Sequence, residues 1–91
     1  MTFTYHQDPS HGWIEVPFAL INKLGIASRI SPYSYCCSTR NIAYLEEDRD
    51  ANVFLMAYDK TSGAKAVLKE EHLDRPHWIR DLAMFEPPAK S

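Results

Sequence analysis

Two hydrophobic periods alternate along this chain, and their order predicts an α+β fold: a small antiparallel sheet of about five to six strands with two short helices packed on one face. Runs with apolar residues at every second position come in pairs separated by turn residues, while two stretches carry apolar residues at three- and four-residue spacing. The size agrees with this. Ninety-one residues, 45% of them hydrophobic, suffice for one packed core and leave no room for a second. The single domain is expected over residues 1–86, with 87–91, rich in proline, as a flexible tail.

The first strand is expected from Thr2 to His6, where Phe3 and Tyr5 alternate with threonines. Asp8-Pro9-Ser10 has turn chemistry, and alternation resumes from Trp13 to Val16, so a hairpin looping around His11-Gly12 follows. Pro17 closes that strand and suits the first turn of a helix, where its missing N–H is no loss. Pro17, Leu20, Ile21 and Leu24 then fall on one helical face, and Gly25 followed by Ile26 fits a left-handed stop.

Ser31-Pro32 punctuates the chain again. Beyond it, Tyr33, Tyr35 and Cys37 are expected on one face of a strand and Ser34, Cys36 and Ser38 on the other, with Thr39-Arg40-Asn41 turning it into a partner from Ile42 to Glu46. A second helix is predicted from about Asp50 to Lys60, burying Val53, Phe54, Ala57 and Tyr58, with Asp48 or Asp50 as its N-cap. Thr61-Ser62-Gly63 ends it, and Lys65 to Glu70 is a further strand. After Pro76, Trp78, Ile79, Leu82 and Phe85 match a helix template, but the run from Trp78 to Leu82 also suits a last strand, which is the preferred reading.

Composition narrows the function classes. A net charge of −2 argues against direct nucleic-acid binding, which needs a basic face to displace counterions from phosphates. No run is long and apolar enough to span a bilayer, and the polar start MTFTYHQDPS lacks the apolar core of a signal peptide, so a cytoplasmic protein is expected. Cys36 and Cys37 are the only cysteines; neighbours on an extended segment point to opposite faces, so reduced thiols are expected.

No catalytic or metal constellation emerges. His6, Asp8 and His11, and the looser pair His72 and His77, have ligand chemistry, but their spacing matches no zinc pattern. Neither cysteine is accompanied by a nucleophile elbow, and Gly12, Gly25 and Gly63 are too isolated to cradle a phosphate. A non-enzyme without cofactor or metal is expected.

The strongest surface feature is the acidic run Glu46, Glu47, Asp48 and Asp50 at the start of the second helix. Carboxylates there complement the helix dipole, but one or two suffice, and the surplus is available to a basic partner surface. Tyr33, Tyr35 and Tyr44 are candidate interface anchors on a shared sheet face, with cross-strand packing as their alternative. Trp13, beside His11-Gly12, is a further partner-binding candidate with core burial as its alternative, and His11 completes the set.

The pieces Asp8-Pro9, His11-Gly12-Trp13, Val16-Pro17, Leu24-Gly25-Ile26, Ile30-Ser31-Pro32-Tyr33-Ser34-Tyr35 and Tyr44-Leu45-Glu46-Glu47-Asp48 together resemble a family of small uncharacterised proteins of tailed bacteriophages. The likeness runs to the end of the second predicted helix; Cys36-Cys37-Ser38 and the C-terminal third depart from it. It implies no catalytic residues, only a setting: a phage or mobile-element protein made in the bacterial cytoplasm. The expected function is therefore an accessory protein that binds and sterically inhibits a host defence macromolecule, such as a CRISPR effector. Its partner would be a host protein or protein–nucleic acid complex, met as a monomer or small homo-oligomer. Two alternatives stay open: a phage structural or assembly factor acting through self-association, and a small nucleic-acid-binding regulator using Lys23, Arg29 and Arg40.

Overall fold

A computed structural model of the chain describes residues 1–86. The tail expected at 87–91 lies outside the described residues. The elements run β1 (Thr2–Gln7), β2 (Gly12–Pro17), α1 (Phe18–Leu24), a 3₁₀ turn (Ala27–Arg29), β3 (Tyr35–Cys37), β4 (Ile42–Glu46), α2 (Asp50–Ser62), β5 (Val67–His72), a second 3₁₀ turn (Trp78–Asp81) and β6 (Ala83–Met84). They build the expected α+β architecture, one six-stranded sheet ordered β5-β1-β2-β4-β3-β6.

The sheet is mixed rather than wholly antiparallel. Four of its five pairings are antiparallel, but β5 runs parallel to β1, with Thr2 opposite Val67 and Gln7 opposite His72. The cause is α2. Because β1, β2 and β4 alternate in direction, β4 already points the way β1 does, and a helix that carries the chain across the sheet delivers β5 parallel to both.

Both helices lie on one face, as their spacing predicts. Ile21 of α1 and Ala51, Phe54 and Tyr58 of α2 close over Phe3, Ile14, Val16, Ala43 and Leu45 of the sheet. Phe3 meets the Phe54 and Tyr58 rings edge-on, at centroid distances of 5.0 and 5.4 Å. α1 ends in paired bonds, Gly25 N–H to the Asn22 carbonyl and Ile26 N–H to that of Ile21, with Gly25 at φ 69°.

The opposite face is covered too, by a strap the periodicity did not reveal. The segment after Pro76 is neither the preferred strand nor a full helix over 78–82; it is a 3₁₀ turn followed by the two-residue β6. His77 Nδ1 caps that turn by accepting the Ile79 N–H at 3.2 Å. The turn lays Ile79 onto Trp13 and Tyr44, with Tyr35, Cys37, Ile42 and Leu82 packed around them. Asp8 fastens the strap. Its carboxylate accepts Arg80 Nε at 2.6 Å, Arg80 Nη2 at 3.1 Å and the His77 N–H at 3.1 Å.

Other boundaries shift slightly. β3 begins only at Tyr35, so Tyr33 stands in the preceding turn, 82% exposed, and does not share a sheet face with Tyr35 and Tyr44. Those two are cross-strand partners. Cys36 packs toward the helices and Cys37 toward the strap, the opposite orientations that adjacent positions on a strand dictate.

Candidate functional site

At one end of the sheet, where the start of α2, the Ser31–Tyr33 turn and the strap converge, an open concavity of about 620 Å³ is formed. Six residues picked from the sequence line it: His11, Trp13, Tyr33, Tyr35, Glu46 and Asp48. Ser31, Arg49 and Arg80 complete the lining. The sheet positions the middle of this set, since Trp13 lies opposite Glu46 across β2 and β4. Trp13 is 2% exposed, so it is both a core residue and the floor of the concavity.

The acidic run divides into four different roles. Glu46, at the end of β4, turns its carboxylate onto the start of α2 and accepts the backbone N–H groups of Asp48, Arg49 and Asp50 at 2.9 to 3.2 Å. It therefore performs the capping expected of Asp48 or Asp50, while Arg49 occupies the N-cap position without a side-chain cap bond. Glu47 leaves the concavity and accepts the Tyr5 hydroxyl at 2.6 Å. Burial and that carboxylate together push the Tyr5 hydroxyl up to about 12.

Asp50 corrects the surface reading directly. It is fully buried, and a side chain with no exposure cannot meet a partner. Its Oδ2 accepts the Ser31 N–H at 2.9 Å and the Ser31 and Ser34 hydroxyls at 2.6 Å each, while Oδ1 accepts Arg49 Nη1 at 2.9 Å. These contacts lock the Ser31–Ser34 turn to α2 and so fix Tyr33 and Tyr35 on the wall. Tyr44 is likewise completely buried and is removed from the partner-binding set. Its hydroxyl is the one sealed side-chain polar atom among the described residues without a hydrogen-bond partner. Asp48 is the one acid of the run left exposed on the rim with its carboxylate free of hydrogen bonds among the described residues.

Arg49 and Arg80 are not legible in the sequence as site residues, and Asp8 shows there only as one of a loose set with ligand chemistry. The Asp8–Arg80 pair joins positions 72 apart, beyond the reach of any local pattern. In three dimensions the Arg80 guanidinium bonds Asp8 and lies 5.4 Å from the Trp13 ring centroid. The Arg80 bonds hold the Asp8 carboxyl well below the usual carboxylate range.

The Cys37 thiol is drawn down chiefly by its contact with the Thr39 hydroxyl at 3.4 Å, and among the described residues no imidazole is hydrogen-bonded to it. His6 Nε2 is bonded to Glu15 at 2.9 Å, and no group of three or more metal-ligating side chains converges among the described residues. No helix among the described residues is long and apolar enough to cross a membrane.

No family model, curated protein or solved structure matches the chain.

Proposed function

We propose that this is a non-catalytic binding protein that acts by covering part of a partner protein's surface, with the concavity beneath the start of α2 as its docking point. The observation that carries this reading is the convergence of Trp13, Tyr33, Tyr35 and His11 with Glu46 and Asp48 around one open hollow. Aromatic side chains beside a polar rim are the usual composition of an energetic hot spot. The setting follows from the sequence resemblance to small tailed-phage proteins, which favours a host defence macromolecule, such as a CRISPR effector, as the partner and steric occlusion as the mechanism.

The test is binding and inhibition against purified effector complexes, measured for the parent chain and for Tyr35→Ala and Asp48→Arg. Each substitution is expected to weaken binding by about 10-fold or more; Asp48→Arg leaves the melting temperature little changed, whereas Tyr35→Ala lowers it by removing a ring packed on Trp13, so that variant is assayed at a temperature where circular dichroism shows it folded. Full inhibition by both folded variants would remove the concavity from the mechanism. Asp50 does not serve in this test, because its replacement attacks the fold.

A further inference from the structure

We infer that the concavity is built to take an arginine side chain of the partner, held between the tyrosines and the Asp48 carboxylate. This rests on the binding reading above and names the chemical group that enters. Both arginines of the lining are already bonded to buried aspartates, Arg80 to Asp8 at 2.6 Å and Arg49 to Asp50 at 2.9 Å. Glu46 and Asp48 have no cationic partner among the described residues, and Glu46 is satisfied only by backbone N–H groups. The hollow therefore carries excess negative charge despite its arginines, which disfavours a phosphate or carboxylate ligand. A purely apolar plug is disfavoured as well, since it would strip water from Glu46 and Asp48 with nothing in return.

The molecule already contains the proposed arrangement once. Arg80 stands over Trp13 with its guanidinium bonded to Asp8, so a ring on one side and a carboxylate on the other hold a cation at the back of this same hollow. On the open side, Tyr35 and Tyr33 supply rings and Asp48 supplies an unpaired carboxylate. A guanidinium suits such a slot better than an ammonium, because it is planar, stacks on rings, sheds its weak hydration easily and bonds carboxylates in a fork.

The experiment is an NMR titration of the ¹⁵N-labelled full chain with the blocked tripeptides acetyl-Gly-Arg-Gly-amide, acetyl-Gly-Lys-Gly-amide and acetyl-Gly-citrulline-Gly-amide. The arginine peptide is expected to shift the Ser31, Tyr35 and Asp48 amides saturably with a Kd of about 1 mM. Citrulline, which keeps the shape without the charge, should bind at least about 10-fold more weakly, with lysine between them. Asp48→Asn should weaken arginine binding and leave the citrulline peptide unaffected. Equal binding of arginine and citrulline, or no movement of those three amides, would overturn the inference. The two proposals fail separately. Loss of partner binding in Tyr35→Ala without arginine capture means another group enters, whereas arginine capture with undiminished inhibition by Tyr35→Ala removes the functional reading alone.

Discussion

Asp50 and Asp48 are both acids at the start of one helix, yet their environments assign them opposite fates. The Asp50 carboxylate accepts bonds from Ser31, Ser34 and Arg49 inside the protein, so truncation would leave two hydroxyls and a backbone N–H without their acceptor. Asp50→Ala is expected to destabilise by about 3 to 5 kcal/mol, a large share of a small domain's stability, readable as a shift in the urea midpoint. Asp48→Asn should change the stability read from that midpoint by no more than about 0.5 kcal/mol, as for other surface changes. Glu46→Ala falls between them. It frees three backbone N–H groups at once and should cost about 1 to 2 kcal/mol, at the upper end of cap losses. The sequence displayed the four acids, but not which would turn inward, because burial of Asp50 depends on two serines that lie 16 and 19 positions earlier.

The strap over the second face is the element most exposed to pH. Its anchor His77 is buried, and its ring meets His6 at a centroid distance of 5.0 Å. Burial first, and His6 second, draw the His77 imidazole below its ordinary value, against an opposing pull from Asp8 and Glu71. With the folded value depressed, the unfolded chain takes up the proton first as pH falls. The contribution is therefore fully present above the ordinary imidazole value of about 6.5 and is lost as pH drops below it. Asp8 adds a second loss in stronger acid, since its depressed carboxyl stabilises the fold above the ordinary value of about 3.9 and ceases to do so as pH falls further. The melting temperature should accordingly decline between pH 7 and pH 5, and His77→Asn, which keeps a cap acceptor without a titrating ring, should flatten that decline. An undiminished slope in that variant would move the sensitivity to another group. Tyr5 works in the other direction. Its raised hydroxyl contributes below the ordinary value of about 10, and that contribution is lost as pH climbs toward about 12.

For the molecule as a whole, self-association turns on β5, an edge strand with all six residues exposed. Val67 N–H bonds the Met1 carbonyl and Leu73 N–H that of Gln7, so the odd-numbered positions turn toward β1 and the even-numbered ones face outward. A two-fold antiparallel pairing centred on Lys69 sets Lys69 against Lys69 and Val67 against Glu71; centred on Glu70 it sets Glu70 against Glu70, with Lys69 against Glu71 on either side as partial compensation. Like charges directly opposite oppose pairing. A monomer is expected by size exclusion with light scattering at physiological salt; a dimer dissolved by charge reversal at Glu70 would contradict this register argument.

The α+β class, the first hairpin, both helices and their glycine stops are legible in the residues, since these depend on apolar period and on the backbone freedom of neighbouring residues. So are six of the residues that line the concavity. Three matters depend on long-range packing. Ala43, Tyr44 and Leu45 are buried in succession because both faces of the sheet are covered, so alternation could not show which side of β4 met water. The direction of β5 followed from the path of α2 across the sheet. The charge of the concavity depended on Asp8 and Asp50 neutralising arginines that turn toward them only in the folded chain. Local patterns record how a segment can bury itself; which charges remain free is settled by residues distant in the chain that the fold brings within bonding distance.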